Sequence, residues 1–188
     1  GLVAQKGDAM RIGMKGSSNQ EGDSWAIFTR FKLTYMGFDA EIIQPELDKT
    51  LAAVDLSKPM GADVAAQAKL LIEAGNAALA TADGKEMFKA LAAILAYNDS
   101  IDASVALFAS LQTNLDDIEN TIADSEAADD VKSKVATTVA EIADAMFRFT
   151  NADAEAAIAT LAECRYLLAL PAGYENATDA APVNLTSL

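Results

Sequence analysis

The stretch IDASVALFASLQTNLDDIENTIAD, residues 101–124, decides the fold. Its apolar side chains Ile101, Val105, Phe108, Leu111, Leu115, Ile118 and Ile122 recur at intervals of three and four. On a 3.6-residue period that spacing gathers them into one stripe, the seam by which a helix packs into a bundle. The same spacing returns downstream in Val131, Val135, Thr138, Ile142, Met146 and Phe149, after a charged connection over 124–130. Asn151-Ala152-Asp153 then turns the chain, and Ile158, Leu161, Arg165 and Leu168 mark a last helix stopped by Pro171.

Upstream, Asp63 is positioned to cap a helix running to about residue 80, with Val64, Ala68, Leu71, Gly75 and Leu79 on one side. Asp83 caps the next, with Glu86 three residues on as the second half of a capping box, and Phe88, Leu91 and Leu95 face inward. Asn98-Asp99-Ser100 reads as an interruption of that run. Before Pro59 and Gly61 break the chain, Pro45 at a first-turn position predicts a short helix over 45–56. Residues 24–36 form an aromatic, helical segment capped by Asp23 or Ser24 and ending at Gly37, whereas 1–23, rich in glycine and serine, has no sustained period.

The fold class expected is therefore all-α: an antiparallel up-down helical bundle of about four core helices over 62–171, with one or two extra short helices. The divisions are a flexible N-terminal arm (1–23), an aromatic helical segment and connector (24–61), the bundle, and an irregular C-terminal tail (172–188). A faint echo at an offset of 70 residues relates Ile72–Tyr97 to Ile142–Leu167, each a helix, a Thr-Ala-Asp or Asn-Ala-Asp turn and an alanine-rich helix. Helix-turn-helix chemistry shared by two antiparallel hairpins explains it more economically than duplication. Composition agrees, since 52% of the 188 residues are hydrophobic but only 6% aromatic, and alanine lets helices form and approach closely.

Charge narrows the partners. The chain carries a net −14, yet residues 1–36 hold Lys6, Arg11, Lys15, Arg30 and Lys32 against Asp8, Glu21 and Asp23, leaving +2 there and −16 on the remainder. An acidic body repels phosphate backbones and anionic lipid, so nucleic acid is not expected as a partner. Gly13-Met14-Lys15-Gly16 matches a KH-type GxxG loop, but no strand or helix pattern flanks it as that module needs. No run of about 18 apolar residues is present, so no transmembrane segment is expected, and association with membrane complexes would be peripheral. Gly1 in place of methionine and the sequons at Asn98, Asn176 and Asn184 lean toward an exported or organelle-lumen location after processing.

With no histidine in the chain, the usual serine or cysteine triads, zinc-protease motifs and Glu-x-x-His di-iron pairs are excluded. No metal site or cofactor is expected, and Asp116, Asp117, Glu119, Asp129 and Asp130 read as solvated surface and not as a paired-carboxylate centre. The single cysteine, Cys164, sits near Leu161 and Leu168 and is expected to be buried and unreactive. Arg165 shares their stripe, which leaves two readings: an ion pair with a neighbouring helix, or an aliphatic stem crossing the core edge to water.

Two sets of residues are candidate sites. Trp25, Phe28, Arg30, Phe31, Lys32 and Tyr35, within the fourteen residues that hold the only tryptophan and three of the seven phenylalanines, have the composition of a protein-docking hot spot. Phe88, Phe108, Met146 and Phe149 are candidates to line an apolar ligand between helices. The C-terminal hairpin, an amphipathic helix, the Asn151-Ala152-Asp153 turn and a second alanine-rich helix, is similar to the extrinsic four-helix subunits on the lumenal side of the oxygen-evolving photosystem. That resemblance implies a lumenal, non-enzymatic subunit. The residues themselves point first to a non-enzymatic interaction or assembly subunit, docking onto a larger complex through its basic, aromatic N-terminal segment. A small apolar-ligand carrier or sensor is the alternative.

Overall fold

A computed structural model describes residues 37–170, all of whose regular structure is helical. Five helices follow in order: α1 (Ala40–Ala53), α2 (Ala62–Thr81), α3 (Gly84–Asp124), α4 (Asp129–Ala145) and α5 (Asn151–Leu168), with a 3₁₀ turn, Met146–Arg148, between the last two. The all-α class is as expected. The arrangement differs from a four-helix bundle, because α3 runs unbroken for 41 residues, about 60 Å at 1.5 Å per residue, and serves as a common spine.

The other four helices divide that spine between them. Along its first half, Met87, Ala90, Leu91 and Ile94 pack with Ile43 and Leu47 of α1 and Ala78 of α2. Lower down, Met60 just before α2 and Val64 and Ala68 in its first turns close over Ile101. Along its second half, Phe108, Leu111, Leu115 and Ile118 pack with Val131, Val135, Val139 and Ile142 of α4 and with Ala154, Ala157, Leu161, Cys164 and Leu168 of α5. Two three-helix lobes thus share one helix. The stripe read from 101–122 is the seam of the lower lobe, buried at Phe108, Leu111, Leu115 and Ile118.

Several local expectations are corrected. Asn98-Asp99-Ser100 does not interrupt α3: Asp99 and Ser100 lie on its exposed side and Asn98 is half-buried, so polar side chains are accommodated without breaking the helix. Pro45 lies inside α1 and does not open it. Asp39 caps α1 one turn earlier by accepting from the Glu41 amide at 2.9 Å, and a proline so near the start forfeits one backbone hydrogen bond, to residue 41. At α2 the cap is Gly61, with Asp63 in the first turn. Asp83 does cap α3, accepting from the Lys85 and Glu86 amides, but the Glu86 carboxylate turns to Lys89 Nζ at 2.6 Å and no capping box closes there. The capping box is at α5, where Thr150 and Asp153 satisfy each other reciprocally. The Asn151-Ala152-Asp153 turn is accordingly the first turn of α5, and the Val131–Phe149 run stops being α-helical at Ala145.

Candidate functional site

Two places on this scaffold bring together groups from distant parts of the sequence. The first is its middle, at Ser104, twenty residues from either end of α3 and the one buried polar side chain among the described residues. The hydroxyl donates to Asn151 Oδ1 at 2.6 Å and accepts from the Gly61 amide at 2.8 Å. Beside it the Ala62 amide donates to the Phe149 carbonyl at 2.8 Å, and the Asn151 amide reaches Asp63 Oδ1 at 3.4 Å. The N-termini of α2 and α5, whose first amides have no intrahelical acceptor, thus meet at one serine of the spine. Gly61 permits the approach, since a Cβ there would lie 2.6 Å from Asn151 Oδ1 and 2.9 Å from its backbone nitrogen. The sequence held one signal of this junction, a serine three residues after Ile101 inside the apolar stripe.

The second is the upper end, where the chain from residue 36 joins the body. Gly37 takes φ +67°, the left-handed conformation that glycine adopts freely. Phe38 lays its ring against Phe88 with centroids 5.2 Å apart, while its carbonyl sits so close to Gly84 that any Cβ at Gly84 would collide with it. Asp39 then caps α1. The arm is therefore attached to α3 at a defined point. Trp25, Phe28, Arg30, Phe31, Lys32 and Tyr35 themselves lie outside the described residues, as do the 1–23 arm and the 172–188 tail.

The proposed apolar lining is divided. Phe108 is fully buried in the lower lobe, and Met146 and Phe149 pack half-buried against the same cluster. Phe88 belongs to the upper lobe beside Phe38, twenty residues or about 30 Å up α3. A separate cleft of about 220 Å³ opens between the end of α1 and the middle of α3, lined by the apolar Ala53, Val54, Ile101 and Val105 and the polar Asp55, Lys58, Asn98 and Asp102. Asp55 there is held below the ordinary carboxylate value by the hydroxyl and amide of Ser57. Tyr97 is pushed up, mainly by burial and further by Asp63.

Arg165 resolves toward pairing: its guanidinium lies 3.3 Å from Asn114 Oδ1 and 3.6 Å from Asp117 Oδ2 on α3, on an exposed face where such a pair is worth at most about 1 kcal/mol. Cys164 is buried, and burial followed by the nearby Glu163 raises its thiol above the usual range, which disfavours the thiolate a nucleophile requires. A maleimide should accordingly label native protein slowly and unfolded protein fast; rapid native labelling would contradict this burial. No group of three or more acidic or cysteine side chains is placed to hold a metal among the described residues. Among the described residues one helix, α3, is long and apolar enough to cross a membrane by length and composition, with an 18-residue window of mean hydropathy 1.3. In this fold α3 is the spine on which the other four helices pack.

Comparison with protein-family models, with curated protein sequences and with solved structures found no match for this chain.

Proposed function

We propose that this chain is a non-enzymatic interaction or assembly subunit, in which an acidic helical rod presents a basic, aromatic N-terminal segment to a protein partner. The observation that supports this most is the way the segment is tethered. Phe38 on Phe88, the Phe38 carbonyl against Gly84 and the Asp39 cap fix its origin at one end of a spine about 60 Å long. A tether of that kind orients a docking element relative to everything the rod carries, and reduces the freedom lost on binding. Aromatic and arginine side chains supply the contact, and the opposite net charges of segment and body favour a partner surface that is itself acidic where the segment lands.

Removing residues 1–36, which spares Phe38, Asp39 and every described helix, should abolish capture of the partner from an extract of the source tissue. Far-ultraviolet circular dichroism should meanwhile retain the helical signal. Undiminished capture by the shortened chain would refute the reading.

A further inference from the structure

We infer that the cleft between the end of α1 and the middle of α3 binds a small organic cation, a primary ammonium carried on a compact apolar body. This goes beyond the assembly reading, uses different residues and does not depend on it. Asn98, Ile101, Asp102 and Val105 of α3 are spaced three and four apart, so they share one face of the helix. Ala53 at the end of α1, followed by Val54, Asp55 and Lys58, supplies the rest of the lining. The site is preformed, because its apolar lining belongs to the packed body. Ile101 is 8% exposed, Val105 packs on the same cluster, and Val54 packs against both that cluster and the one above it.

Size and chemistry select the ligand. An enclosed apolar cavity of about 150 Å³ takes benzene, so the cleft of about 220 Å³ suits a ring or a short chain that carries a polar head. The Ser57 amide at 3.0 Å and hydroxyl at 2.6 Å both donate to Asp55 Oδ1, which leaves Oδ2 uncommitted to that turn. Neither Asp55, Lys58 nor Asp102 enters an ion pair among the described residues. Two carboxylates against one ammonium leave the lining negative. The last turn of α1, which ends here, has no basic side chain, so the negative pole of its dipole adds to that charge. An anion would be opposed by this field, and a neutral apolar ligand would strip water from the carboxylates without replacing it. A bare metal ion would leave the apolar lining unused, and no group of three acidic or cysteine side chains is placed to hold one among the described residues. An ammonium on an apolar body meets both requirements, donating charge-assisted hydrogen bonds to the carboxylates while its body covers Val54, Ile101 and Val105.

Phenethylammonium chloride is the probe, titrated into the purified full-length chain labelled with nitrogen-15. The amide resonances of Val54, Asp55, Asn98, Asp102 and Val105 should shift and saturate. The dissociation constant should be about 1 mM, the scale for about nine non-hydrogen atoms in a partly open site. Phenylethanol and phenylpropionate, similar in shape, should bind about tenfold more weakly, because each lacks the charge-assisted donor. Asp102→Asn, at an exposed position, should weaken binding about threefold or more, and Ala53→Leu should weaken it by filling the cleft. Glu119→Gln, about 25 Å along α3, should leave it unchanged. Shifts that never saturate, or that spread over the acidic surface, would overturn the proposal by reducing the effect to counterion binding. Equal binding of phenylethanol, or equal responses of Asp102→Asn and Glu119→Gln, would overturn it as well. Tighter binding of a capped lysine than of phenethylammonium would also overturn it, by assigning the cleft to the lysine side chain of a partner protein. None of these measurements involves capture, so the assembly reading stands or fails separately.

Discussion

Replacing Phe108 by alanine is expected to cost about 3–5 kcal/mol, the range for truncating a fully enclosed aromatic side chain. Phe108 is 1% exposed and is the largest side chain buried to that degree, at the top of the lower-lobe cluster with Leu111, Leu115, Val139 and Leu161. The leucine, isoleucine and valine side chains around it are held by their own packing, so the void is only partly refilled and much of the cavity term remains. Phe147, 76% exposed, with the Arg148 guanidinium 4.9 Å from its ring centroid, is the control, and its alanine variant should change stability by less than about 0.5 kcal/mol. Chemical denaturation followed by circular dichroism checks both. A loss below about 1 kcal/mol at Phe108 would mean that the lower lobe is not packed around it. The shape of the curve is informative as well. With α3 continuous, weakening one lobe should move a single transition; a biphasic curve would show the upper lobe standing on its own.

How much of this was legible beforehand depends on whether the physics is local. Ile101 to Ile122 announce the seam because burial of one face imposes a period on the residues themselves, and every strongly periodic segment among the described residues is helical. The errors fall where tertiary context outweighs local propensity. Asn98, Asp99 and Ser100 favour turns by themselves, yet each needs only a solvent-facing or half-buried position to remain helical, and packing of Ile94 and Ile101 on either side holds the helix through them. Pro45 looks like a first-turn residue because that is where proline is cheapest; Asp39, a better cap, lies close enough upstream that the loss is one hydrogen bond. The division into two lobes was invisible, since the stripe along α3 is continuous while its partners change. Among the candidate site residues, Phe108, Met146 and Phe149 pack into one cluster, and grouping them with Phe88 ignored about 30 Å of helix, twenty residues of rise. The Ser104–Asn151 bond joins positions 47 apart, and nothing in either residue's neighbourhood names the other.

Ser104→Ala should have the next largest effect, about 1–3 kcal/mol, although it removes a single oxygen. The Gly61 amide donates to this hydroxyl in a buried setting, with Ser104 itself 1% exposed, so in the variant the amide would remain buried and unpaired. Asn151 suffers less because it is only half-buried. The damage should therefore be asymmetric, concentrated at the start of α2. Amide hydrogen exchange of Gly61 and Ala62 should accelerate by one to two orders of magnitude, the exchange equivalent of that cost at roughly 1.4 kcal/mol per tenfold. Val135 and Val139, deep in the lower lobe, should keep their protection. Ser104→Thr retains the oxygen and should restore most of the protection at Gly61 if the neighbouring space admits a methyl group. Unaltered exchange at Gly61 in Ser104→Ala would show that the junction is held by packing alone, and that the serine is incidental to how α2 and α5 are fixed on the spine.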